Sequence, residues 1–290
     1  GILSAAMAST SSLYDELWDY NDPAGTEAKF RALMVEDAAQ KAELSTQIAR
    51  TYSLRRRFDE AHATLDTVDA SLSPVVAVRL LLERGRTFNS AKRRDEANAL
   101  FAEAYEKAVA GGLDFYAVDA AHMAAIADED GMAWNLKALK MAEASSDPLA
   151  RRWMGSLYNN IGWDYMDSHR FDQALDLFQK AVVFRREQGK DEPLRIARWC
   201  VARANRSLGN VTDALKELRD LEEQGDDPYV FEELGECLLL TGAADDAKPY
   251  CRKAYAALSQ DSWLVDNEPD RISRLKALGD EEGGGAAQAS

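Results

Sequence analysis

Five stretches of this chain fall into one register: IARTYSLRRRFDEAHATLDTV, RGRTFNSAKRRDEANALFAEA, IGWDYMDSHRFDQALDLFQKA, VARANRSLGNVTDALKELRDL and LGECLLLTGAADDAKPYCRKA. Each carries a small residue (Ala49, Gly85, Gly162, Ala202, Gly235) with a longer residue three places later (Tyr52, Phe88, Tyr165, Asn205, Leu238). Twelve places past the small residue stands an alanine (Ala61, Ala97, Ala174, Ala214, Ala247), followed by a packing residue (Leu65, Phe101, Phe178, Leu218, Cys251). A weaker sixth unit spans 113–145, with AVDAAHMAAIA, a turn at Asp130-Gly131, and MAWNLKALKMAEA. Ala61 to Ala97 is 36 residues, Ala174 to Ala214 is 40 and Ala214 to Ala247 is 33, bracketing a helix–turn–helix repeat of about 34. A repeating two-helix unit cannot bury its apolar face alone, so units must stack.

The residue types predict how each unit packs. A small residue on the first helix lets the second approach, the residue three places on is expected to fill the groove beside it, and the alanine marks the closest backbones. Asp-Glu-Ala or Asp-Gln-Ala at the start of the second helix sets acids at the positive end of its dipole.

This pattern resembles the tetratricopeptide repeat family over roughly residues 42–258, most fully at 155–188; the longer unit holding LYNNIGWDYMDSHRFDQALDLFQKAVVFRREQGK (157–190) is similar to the long-helix variety of kinesin light chains and bacterial peptide-pheromone receptors. The resemblance implies an all-α, right-handed superhelical solenoid of about six hairpins with caps, whose first helices line a concave face. Within a single domain over 13–278, an N-terminal hairpin over 13–40 is expected to cap the first repeat through Leu13, Leu17 and Trp18. A helix over 268–278, stopped by Gly279, is expected to cap the last. Residues 1–12 read as a leader or expression scar and 279–290 as a disordered Gly/Ala-rich tail.

Composition narrows the function. Of 290 residues, 50 are Asp or Glu and 35 Lys or Arg, a formal net charge of −15, which argues against non-specific nucleic-acid binding. No apolar run reaches the ~20 residues of a membrane span. The odd count of three cysteines and the lack of a CxxC pair point to a reducing cytoplasm. Three scattered histidines show no metal-ligand spacing, and His169 reads as a turn residue. With no nucleophile motif, no phosphate loop and acid pairs such as Asp245-Asp246 suited to solvated faces, a non-enzyme without cofactor or metal is expected.

Binding is the expected role. The predicted concave stripe collects Arg50, Arg79, Arg86, Asn89, Asn159, Trp163, Met166, Trp199, Arg203 and Arg206, with Asn160 near the rim. Arginine forks and aromatics suit a peptide or protein segment carrying acidic groups. By resemblance, asparagines near the small residue of the first helix hold a peptide backbone in long-helix members, which Asn159 and Asn160 match. Thr46-Gln47, Leu82-Glu83, Trp199-Cys200 and Glu232-Glu233 replace them elsewhere, so no asparagine ladder runs the length of the face. The same arginines also fit intrahelical pairing with acids such as Glu83 on a solvated face. A self-associating scaffold (a homo-oligomer) and a receptor for a small molecule or signalling peptide are the alternative functions.

Overall fold

The structure, a computed structural model, describes residues 14–280; the leader, Leu13 and residues 281–290 lie outside them. The described residues form sixteen α-helices and one short 3-10 turn (Ala70–Leu72), with no strand. They divide after Leu157 into two compact units.

The first unit holds α1 (Pro23–Ala32), α2 (Ala38–Leu54), α3 (Phe58–Asp66), α4 (Pro74–Ser90), α5 (Arg94–Ala110), α6 (Asp114–Ala127), α7 (Gly131–Ala144), α8 (Pro148–Arg151) and the start of α9 (Trp153–Asp167). The second holds the rest of α9, then α10 (Phe171–Gln188), α11 (Asp191–Ser207), α12 (Val211–Glu223), α13 (Pro228–Leu240), α14 (Ala244–Leu258), α15 (Ser262–Asn267) and α16 (Pro269–Gly279). The hairpins α2–α3, α4–α5, α6–α7, α9–α10, α11–α12 and α13–α14 are the six predicted repeats, the weak one included. Within the span of the expected N-terminal hairpin, Tyr14–Glu16 and α1 are helical on either side of Asn21-Asp22, the start of the first helix lies outside the described residues, and Leu33–Asp37 lead on to α2. Tyr14 and Phe30 are buried with Leu44 and Ile48, and Leu17 and Trp18 pack against them.

Sequence chemistry sets the ends. Five of the seven prolines (Pro23, Pro74, Pro148, Pro228, Pro269) open helices, where a missing N–H costs nothing. Asp22, Asp37, Ser73, Asp147, Asp227 and Asp261 cap N-termini through their side-chain oxygens. The second helices of five repeats lack a side-chain cap and carry acids in the first turn instead.

The packing bears out one expectation and departs from another. Gly162 meets the second helix of its own hairpin, as expected, and the side chain it meets is Phe178 of α10: a Cβ on Gly162 would stand 2.4 Å from the Phe178 ring, and one on Gly85 2.6 Å from Phe101. The glycine is a seat for the second helix's aromatic, sixteen positions on in both cases. Gly279 is not a left-handed stop. It is the last residue of α16, buried against the Arg252 backbone, and its carbonyl accepts from Arg252 Nε and Nη2 at 3.1 and 2.9 Å. Burial pushes the thiols of Cys200 and Cys237 up to about 12 and that of Cys251 to about 11, which makes them core residues rather than nucleophiles. No helix among the described residues is long and apolar enough to cross a membrane.

Candidate functional site

On α4 the sequence alternates two jobs. Val78, Leu82 and Gly85 face α5 and α6, while Arg79, Glu83 and Arg86 lie on successive turns of another face. That face, with Arg50 of α2 and Asp119 of α6, borders a cleft of about 640 Å³ in the first unit. Tyr20, Phe115, Tyr116 and Trp153 supply its aromatic walls, and Asp15, Glu16 and Arg152 add charge.

Most of this charge is already paired. Arg79 is only 6% exposed; it donates to Glu43 at 2.7 Å on α2 and to Asp15 at 3.2 Å. Arg86 bridges Glu83 at 2.7 Å and Asp119 at 2.5 Å. Burial alone would raise the Asp119 carboxyl, but the Arg86 guanidinium outweighs it and holds it below the usual carboxylate range. Burial likewise pushes the Tyr116 phenol up to about 12, against the opposing pull of Arg79. Glu83 Oε1 also accepts from Gln47 at 3.4 Å, whereas its buried Oε2 receives no hydrogen bond and lies 3.9 Å from Arg50 Nε.

Arg50 is therefore loosely held. Its guanidinium rests over the rings of Tyr20 (4.8 Å) and Trp18 (5.5 Å), themselves stacked at 4.7 Å, and Trp18 Nε1 donates to Gln47 at 3.0 Å. Arg152 is exposed and has no ion-pair partner among the described residues. Of the cleft's four arginines, Arg79 and Arg86 are thus engaged in close ion pairs, whereas Arg50 and Arg152 are not. Asn89 is half-buried on the last turn of α4 and does not line the cleft.

The second unit gathers Asn159, Trp163, Trp199, Arg203 and Arg206. Asn159 accepts weakly from the Cys200 thiol at 3.8 Å, and Asn160 is exposed. Trp163 stacks on Trp199 with centroids 6.0 Å apart. Met166, expected on the open face, is a core residue instead: it is 6% exposed and packed with Ala174, Phe178, Cys200 and Ala204. Arg206 grips Glu233 of α13 through two nitrogens at 2.5 and 3.0 Å, and Arg203 approaches the same carboxylate at 3.5 Å. Burial, then Arg206, lowers the Arg203 pKa. The pairing anticipated from sequence is present, but it runs mainly between helices and is buried or part-buried rather than solvated. The acids responsible, Glu43, Asp119 and Glu233, are not evident from the sequence as partners of these arginines, which lie 27 to 36 residues away.

Residues 155–187 match the tetratricopeptide repeat family profile. No curated protein sequence matches the chain. Among solved structures, the apo form of RapI is similar at 11% identity and a TM-score of 0.69, over 96% of this chain and 81% of that one. The apo form of the quorum sensor NprR from B. thuringiensis is similar at 13% identity and 0.53, over 95% and 82%. BtubC from P. vanneervenii is similar at 15% and 0.50, over 77% and 91%. The chain is thus built of helical hairpins of the tetratricopeptide type.

Proposed function

We propose that this chain is a non-enzymatic peptide- or protein-binding module, an adaptor or sensor, whose first-unit cleft takes an extended segment bearing acidic and aromatic or aliphatic groups. The observation that carries the reading is the unequal use of the cleft's arginines. Arg79 and Arg86 are fixed in buried pairs, and Arg50 and Arg152 remain beside aromatic walls with donors to offer. A cleft of this volume, largely preformed by a rigid ion-pair floor, suits a few residues of peptide. The sensor reading draws on the likeness to NprR, which is described as a quorum sensor.

Selection from a random peptide library tests this. Wild type is expected to enrich acidic sequences with a large apolar residue, and Arg50→Gln/Arg152→Gln to lose that enrichment. An enriched pool without acidic residues, or one unchanged by the double substitution, would contradict the reading.

Self-association is the second reading, favoured by Trp263 and Leu240 in the second unit, 62% and 61% exposed. A light-scattering mass of one chain at high concentration excludes it.

A further inference from the structure

A second cavity lies wholly within the second unit and shares no residue with the first-unit cleft. It encloses about 360 Å³ between α11, the start of α13 and α16. Its walls are two aromatic rings set nearly at right angles, Trp199 and Tyr229, with centroids 6.3 Å apart and an interplanar angle of 77°. The corner is fixed: Trp199 Nε1 donates to the Tyr229 carbonyl at 3.1 Å, and the Tyr229 N–H donates to the helix-capping Asp227 at 2.9 Å. Ile196, 54% exposed, forms the third apolar wall.

The rim decides what the corner accepts. Arg271 lies over the Tyr229 ring at 5.6 Å and is bound to Glu232 and Glu268, so it closes one side without free capacity. Arg195 has only a 3.5 Å approach to Asp227, and its Nε is buried without a partner. Glu192 forms no ion pair among the described residues. The lining therefore carries two acids and two arginines, with one donor group and one acceptor group underused. A balanced rim gives no net attraction to an ion, yet it offers both a donor and an acceptor to a neutral amide. An apolar corner with such a rim matches one large side chain on a peptide backbone.

We infer that this cavity is an anchor pocket for a single aromatic or large aliphatic residue of a bound peptide, with the side chain against Trp199, Tyr229 and Ile196, and the flanking amides at Glu192 and Arg195. The occupant's identity as peptide rests on the function proposed above.

The Trp199 indole N–H, held at a known carbonyl, is a local NMR reporter, assigned by its loss in Trp199→Phe. In the full chain, N-acetyl-L-phenylalaninamide is expected to shift this resonance saturably, and N-acetylglycinamide is not. Phenylacetate and phenethylammonium, which carry the same ring with a charge, are expected to bind at least about threefold more weakly. Ile196→Glu, a change at an exposed position that leaves the dispersed spectrum intact, is expected to weaken the amide at least about tenfold. Equal shifts with the glycine amide, tighter binding of either ion, or indifference to Ile196→Glu would overturn the inference. The readout involves neither Arg50 nor Arg152, so loss of acidic-peptide binding at the first-unit cleft and loss of amide binding here are separate results.

Discussion

At the scale of single residues, the chain shows which small and charged positions build and which remain available. Gly162 was legible in the sequence as a close-approach position against the second helix of its own hairpin, but the side chain that meets it was not. Phe178 belongs to the second helix, and only the hairpin geometry brings it within 2.4 Å of where a Cβ would stand. Gly162→Ala is expected to destabilise the protein by about 1–3 kcal/mol in urea unfolding, since an aromatic ring in a packed core must shift. The arginines separate in the same way. Arg86→Met strands the Glu83 and Asp119 carboxylates in a buried site and is expected to cost about 3–5 kcal/mol. Arg50→Gln gives up a loose ion pair and a cation–π contact, and is expected to cost about 1 kcal/mol or less. Equal losses for the two in denaturant melts would refute the division into structural and available arginines. Met166 is a core residue rather than an open-face one because its place one turn past Trp163 lies where α11 packs closely through Cys200 and Ala204.

At the scale of elements, the repeats share a turn that the sequence pattern hid. The residue three places past the small one accepts a bond from five residues on: Arg57 to Tyr52, Arg93 to Phe88, Arg170 to Tyr165, Asn210 to Asn205 and Ala243 to Leu238, all at 2.8–2.9 Å. The residue before each donor bonds back three positions and has positive φ, the pattern of a Schellman end. Gly209 and Gly242 occupy that left-handed position in two repeats, while Arg56, Lys92 and His169 occupy it in the others. Because three of the five are not glycine, the turn could not be found by looking for glycine. Lys92→Gly is expected to raise stability by about 0.5–1 kcal/mol, since relief of the left-handed strain exceeds the added freedom of the unfolded chain. A fall in the melting midpoint would count against it. The α1–α2 contact has its own pH signature. Burial raises the Glu27 carboxyl, but hydrogen bonds from Arg31 and Arg55 outweigh it and hold it at about 2. A carboxylate depressed on folding adds stability above its unfolded pKa and loses it as pH falls towards the folded value. Acid unfolding should therefore steepen between pH about 4.5 and about 2, and Glu27→Gln should flatten that limb.

At the scale of the whole chain, the fold was legible because repetition multiplies a weak signal: five units in one register point to one hairpin design, and all six predicted hairpins are present. The binding surface was less legible. A net charge of −15 made a set of arginines look like an exception awaiting an acidic ligand, yet the acids that neutralise most of them come from neighbouring hairpins. What distinguishes Arg50 and Arg152 is the absence of a tight partner, a property of three-dimensional neighbours rather than of spacing. The Trp199–Tyr229 corner was half visible, as Trp199 alone, because Tyr229 comes from the first turn of a different repeat. The central claim is that the loosely held arginines of the first-unit cleft recognise acidic groups. Calorimetric titration of a library-selected acidic peptide, at low and at physiological salt, tests it most directly. Affinity should fall at least about tenfold in Arg50→Gln/Arg152→Gln, and should fall with salt in the wild type more than in the variant. Binding that is insensitive to salt and unchanged by the double substitution would contradict it.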